Sequence, residues 1–92
     1  MLFRSEVFRS TCKNGHLNIL KWLYEIDPVI DVHVGNDYAF RVSCVRGYLN
    51  VAKWLYELYP NIDIHEYGDF AMVFASHNGH TEVVKWLNEI QR

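Results

Sequence analysis

An all-α solenoid of three stacked helix-turn-helix repeats is the fold this sequence predicts, and three observations predict it. A block of eleven residues beginning Gly15-His16-Leu17-Asn18 recurs without gaps from Gly47 and from Gly79, a period of 32. Apolar residues inside each block fall at helical spacing. Finally, half of the 92 residues are hydrophobic while Gly and Pro number only five and two, so the chain can build a core. Its length allows one domain over residues 1–92, divided into repeats at about 1–32, 33–64 and 65–92.

The second helix of each repeat carries the clearer pattern. Ile19, Trp22, Leu23 and Ile26 follow i, i+3, i+4, i+7, as do Val51, Trp54, Leu55, Leu58 and Val83, Trp86, Leu87, Ile90. This defines one buried stripe per helix. The first helix is shorter and expected to start at Ser5, Asp37 and Asp69, whose side-chain oxygens can accept from the orphan amides of a first turn. It should end at Gly15, Gly47 and Gly79, because the left-handed residue that closes a helix is sterically free only for glycine. Pro28 and Pro60 then stop the second helix. Short connecting fingers follow at Val29–Asn36 and Asn61–Gly68, where Ile30 and Val32, and Ile62 and Ile64, alternate as in a short strand. No single repeat can bury its apolar face alone, and stacking supplies the continuous core.

These residues resemble the ankyrin repeats. Thr11-Cys12-Lys13-Asn14-Gly15-His16, Ser43-Cys44-Val45-Arg46-Gly47-Tyr48 and Ala75-Ser76-His77-Asn78-Gly79-His80 match the family's two small residues, two variable residues and Gly-His. The Lys-Trp-Leu-Tyr-Glu ending of the second helix resembles the ankyrin arrays of giant DNA viruses of amoebae. The chain departs from the family at the start of the first helix, where Glu6-Val7-Phe8-Arg9, Tyr38-Ala39-Phe40-Arg41 and Phe70-Ala71-Met72-Val73 replace Thr-Pro-Leu-His. Asp37 and Asp69 are expected to replace the missing Thr cap one position earlier. The period is one residue short of the family's roughly 33, which implies a shortened or reshaped finger. A tetratricopeptide reading fails, since it needs a period of about 34 and a Trp early in the first helix.

The remaining chemistry is sparse. Net charge is −2 at a pI near 6.2, so nucleic acid and anionic membranes are poor partners. No apolar run approaches a membrane span, and the first eight residues lack the order of a secretory signal, so the expected location is intracellular and soluble. Trp22, Trp54 and Trp86 are expected to pack along the core or its edge rather than to stack on a ligand. Cys12 and Cys44 read as inert buried thiols, since neighbouring helices lie roughly 8 to 10 Å apart, beyond the about 7 Å between α-carbons that a disulfide spans. His16 and His80 fall at the turn position, where the resemblance implies that the ring braces the turn. His77 and His80 are separated by a helix-breaking Gly79, and His33 and His65 are ordinary finger residues, so no metal is expected. Lys21, Lys53 and Lys85, each followed four residues later by a Glu, form a solvated face. No nucleophile, phosphate loop or paired carboxylate is present to support an enzyme, and no cofactor is expected.

The resemblance implies a protein-binding module that grips a partner protein with its concave face and loop fingers. Carried over by position, the binding residues are Val34, Gly35 and Asp37 in the first finger and Glu66, Tyr67 and Asp69 in the second. Lys13, Asn14, Val45, Arg46, His77 and Asn78 precede the turns. Arg46 and Tyr67 belong to residue types enriched among binding hot spots. The viral resemblance implies a host protein as partner and the host cytoplasm as location. The alternative is a structural end piece or fragment of a longer array that self-associates through its exposed ends.

Overall fold

In a computed structural model, residues 2–26, 34–62, 64 and 66–90 are described. They form α1 (Leu2–Lys13), α2 (Leu17–Ile26), α3 (Val34–Arg46), α4 (Leu49–Leu58), α5 (Glu66–His77) and α6 (Thr81–Ile90). The first helices stack α1 on α3 on α5, and each second helix packs against its own first helix. The result is two layers, an inner row of three first helices and an outer row of three second helices.

Close stacking of the inner row follows from small side chains. Ala39, Ser43, Cys44, Ala71 and Ala75 are buried between the first helices, with Phe8 and Phe40 filling the space toward the outer row. The buried hydroxyls cost little, because Thr11 Oγ1 donates to the Val7 carbonyl and Ser43 Oγ to that of Ala39, both at 2.7 Å. Cys12 and Cys44 are free and buried, and burial pushes both thiols up from 9.0 to about 12, as expected of inert thiols.

The three turns form as expected. Gly15, Gly47 and Gly79 have φ of 72°, 80° and 75°. At each, the glycine amide donates to the carbonyl three residues back and the next amide to the carbonyl five back, as in Gly47 N to Cys44 O (3.2 Å) and Tyr48 N to Ser43 O (2.8 Å). This pairing satisfies the last carbonyls of the first helix.

Helix starts differ from expectation. Ser5, Asp37 and Asp69 lie inside α1, α3 and α5 rather than at their N-caps, and Val34 to Asn36 and Glu66 to Gly68 are helical rather than finger. The physical reason is visible after Pro60: Ile62 N donates to Tyr59 O and the Ile62 side chain is buried, so the chain turns at once instead of extending. Asp69 still marks a break, since its φ of 64° puts one left-handed residue within the α5 segment. No strand occurs among the described residues; Ile30 and Val32 lie outside them.

The outer row obeys the expected stripe in two of three cases. Val51 and Leu55 of α4 and Val83 and Leu87 of α6 are buried, whereas in α2 Ile19, Trp22 and Ile26 are 47%, 58% and 61% exposed. Trp54 meets Tyr24 of the preceding repeat edge-on, centroids 5.9 Å apart, and Trp86 meets Tyr56 in the same way at 5.7 Å. These two tryptophans pack as expected. Trp22 does not, and stands exposed on α2.

Candidate functional site

The inner face is built by residues that the first helices turn away from the outer row. Arg9 of α1 places its guanidinium carbon 5.9 Å from the Tyr38 ring centroid, and Arg41 sits 6.0 Å from the same ring. Arg41 also lies 5.2 Å from the Phe70 ring, which contacts Phe74 at 4.5 Å, and Phe74 in turn lies 6.2 Å from His77. Cations and rings therefore alternate from Arg9 to Phe70, and Phe74 and His77 extend the row over the third repeat. Arginine over an aromatic face is favourable because the ring's negative quadrupole faces the charge.

Two shallow cavities flank Tyr38. One, of about 340 Å³, is lined by Arg9, Ser10, Lys13 and Tyr38. The other, of about 200 Å³, is lined by Tyr38, Arg41, Val42, Val45, Arg46 and Phe70. Neither encloses a catalytic constellation, and no group of three or more His, Cys, Asp or Glu among the described residues could hold a metal ion. Among the described residues no helix is long and apolar enough to cross a membrane.

Of the residues expected to bind a partner, the structure brings Lys13, Val45 and Arg46 to these cavities, with Lys13 and Arg46 exposed and Val45 half-buried. Asn14 and Asn78 are exposed but engaged: Asn14 Nδ2 donates to the Ser10 carbonyl and Asn78 Nδ2 to that of Val45, both at 3.0 Å. The second bond ties repeat three to repeat two. His77 is exposed beside Phe74. Val34, Gly35, Asp37, Glu66 and Tyr67 occupy the first turns of α3 and α5, with side chains outside the described part of the structure. Asp69 is half-buried at the left-handed break.

Sequence reasoning missed Arg9, Tyr38, Arg41 and Phe70. Their signal lay in the repeat period itself: Arg9 and Arg41 stand 32 residues apart, as do Tyr38 and Phe70. Another inter-repeat relation concerns the turns. A Cβ built on Gly15 would lie 2.9 Å from ring carbons of Tyr48, and one on Gly47 would overlap the His80 ring, 2.7 Å from Cε1 and 2.8 Å from Cγ. The residue after each later glycine thus lays its ring on the glycine of the repeat before, which is the bracing role the resemblance implied for His80.

A family model of three ankyrin repeat copies matches residues 8–91. The chain belongs to the ankyrin-repeat family. No curated protein and no solved structure matches it. Ankyrin repeats are generally non-enzymatic protein-protein interaction modules, and the inner cation-aromatic row is the part of this ankyrin array with the most distinctive surface chemistry.

Proposed function

We propose that this ankyrin array binds a partner protein across its inner face, using the residues before the turns and the N-terminal turns of the second and third first-helices. Lys13, Asn14, Val45, Arg46, His77 and Asn78 form the first group; Val34, Asp37, Glu66, Tyr67 and Asp69 form the second. The single observation that supports this reading is the continuity of the Arg9-Tyr38-Arg41-Phe70-Phe74 row over three repeats, a surface far longer than either cavity. Arg and aromatic side chains are the residue types that dominate binding hot spots. The resemblance to the ankyrin arrays of amoebal giant viruses makes a host protein the natural partner.

The test is affinity capture from an amoebal lysate with the native protein beside an Arg46→Ala, Tyr67→Ala double variant of unchanged circular dichroism. A protein held by the first and released by the second supports the reading. Equal capture by both removes these two residues from the binding face.

A second reading, self-association, is favoured by a separate observation: Val7, Ile19, Trp22 and Ile26 of the first repeat are each exposed. Large exposed apolar side chains favour association. Sedimentation of the native protein and of Trp22→Ser tests it; a monomer at high concentration in both rules it out.

A further inference from the structure

Asn14 and Asn78 are the asparagines that a glycine follows, and the residue after the glycine is shared as well. Asn14-Gly15-His16 and Asn78-Gly79-His80 are the same tripeptide in the first and third repeats, while the second has Arg46 before its glycine. Asparagine before glycine is the pair in which the following backbone nitrogen most readily attacks the side-chain amide, because glycine sets no side chain beside the approaching atoms. Identical chemistry at two places leaves any difference in behaviour to the fold.

Locally the two sites match. Both asparagines are exposed. The nitrogen that would attack is held in each case, Gly15 N donating to Cys12 O at 3.0 Å and Gly79 N to Ser76 O at 3.1 Å. Each side chain also donates one bond of 3.0 Å, from Asn14 Nδ2 to the Ser10 carbonyl and from Asn78 Nδ2 to the Val45 carbonyl. Reaction at either site therefore requires the turn to open, and its rate follows the cost of that local opening.

Packing makes the sites differ. A Cβ on Gly15 would lie 2.9 Å from three ring carbons of Tyr48, whereas one on Gly79 meets nothing within 4 Å among the described residues. Gly15 is half-buried and Gly79 exposed. Opening the first turn displaces an aromatic ring from its seat, and opening the third displaces none. The acceptors differ too. Ser10 belongs to the helix that Asn14 follows, but Val45 lies near the end of α3, where carbonyls lack an intrahelical donor, so Asn78 joins two repeats.

We infer that Asn78 is a site of spontaneous deamidation, that it reacts ahead of Asn14, and that its reaction unties the third repeat from the second. In the first step hydroxide takes the Gly79 N–H proton and the nitrogen bonds to Asn78 Cγ. The Cγ–Nδ2 bond breaks, the departing nitrogen takes a proton from water and leaves as ammonia, and a succinimide ring remains. Water then opens that ring at Cγ, giving aspartate, or at the main-chain carbonyl of residue 78, giving isoaspartate. Either product replaces the Nδ2 donor by carboxylate oxygens that only accept, and these face the accepting Val45 carbonyl. Isoaspartate also lengthens the main chain just ahead of His80, whose ring sits on Gly47. Two ties between the second and third repeats are thus reached from one amide. The inference is independent of which partner binds, although Asn78 lies on the proposed binding face.

The test is a time course of the native protein at neutral pH, with its peptides mapped by mass spectrometry for the lost amide and by an isoaspartyl methyltransferase for isoaspartate. Asn78 should lose its amide at least about fivefold faster than Asn14. In the chain unfolded by urea the two should react within about twofold of each other, since the turns are gone. Tyr48→Ala, which uncovers Gly15, should bring Asn14 within about twofold of Asn78. The inference is overturned if Asn14 keeps pace with Asn78 in the native protein, if neither reacts while the unfolded chain loses both, or if Asn14 stays slow in folded Tyr48→Ala. Should Tyr48→Ala lose its circular dichroism, the native and unfolded chains decide alone, an unchanged ratio between the two sites overturning the inference.

The untying is read from Asn78→Asp beside Asn14→Asp, which place the same charge at the ends of equivalent helices. Hydrogen exchange across residues 79–84 should quicken about fivefold in Asn78→Asp, the equivalent of one lost hydrogen bond. Exchange across residues 15–20 should quicken no more than about twofold in Asn14→Asp, because the Ser10 carbonyl still accepts from Asn14 N. Equal quickening in the two variants overturns the untying.

Discussion

Helices α2 and α4 carry almost the same ten residues. Leu17-Asn18-Ile19-Leu20-Lys21-Trp22-Leu23-Tyr24-Glu25-Ile26 and Leu49-Asn50-Val51-Ala52-Lys53-Trp54-Leu55-Tyr56-Glu57-Leu58 differ at three positions, all apolar. Yet Val51 and Leu55 are buried, while Ile19 is exposed and Leu23 only half-buried. The apolar stripe is a property of the helix, but its burial belongs to the neighbour: in α4, Trp54 packs against Tyr24 of the preceding repeat. In a solenoid each repeat contributes its own stability plus a term for each interface, and these two helices separate the terms.

That separation can be broken or sharpened by matched substitutions. Leu55→Ala is expected to cost about 3 kcal/mol, within the range for truncating a buried leucine, and Leu23→Ala less than about 1.5. Urea titration followed by circular dichroism measures both, and equal costs would show that the neighbouring repeat is irrelevant. The turns offer the next contrast. Gly79→Ala must adopt a left-handed residue in open space and should cost about 1 kcal/mol, whereas Gly47→Ala also drives a methyl into the His80 ring and should cost at least about 2. Equal costs would mean that the ring simply moves aside. Trp22→Ser should change stability by no more than about 0.5 kcal/mol, with a larger loss pointing to a contact on the end face.

The smallest effect concerns the thiols. Cys12 and Cys44 are buried, but the equivalent Ser76 is exposed on the last repeat. A Ser76→Cys variant should therefore alkylate rapidly at pH 8, while the two native thiols, held neutral to about pH 12, react only on unfolding. Mass spectrometry after a brief exposure to iodoacetamide reads the result. The same shift has a pH consequence. Between 9.0 and about 12 the unfolded chain releases the two thiol protons and the folded chain keeps them, so stability falls as pH rises through that window. Replacing both cysteines by alanine should flatten that slope.

What was legible in the sequence follows the same division. The glycine turns, the second-helix periodicity and the register of the repeats are local, and the structure contains them as read. Ser5, Asp37 and Asp69 misled because a good capping side chain is only a local preference; before α5, the immediate turn around Ile62 lets the helix begin earlier. The burial of Trp22 could not be read from α2 at all. The inner face was half legible: Lys13, Val45 and Arg46 were found by position, but the stacking of Arg9 and Arg41 on rings of the following repeat arises between units, although all four residues recur at the repeat period.

The rings on Gly15 and Gly47 also give the array a direction in time. Each is supplied by the later repeat, so a chain made from its N-terminus finishes the Gly15 turn before Tyr48 exists, and the Gly47 turn before His80. A nascent repeat thus leaves the ribosome with its glycine unclasped, and is fastened only when its successor emerges. Synthesis paused between the two would expose that open clasp to chaperones and proteases.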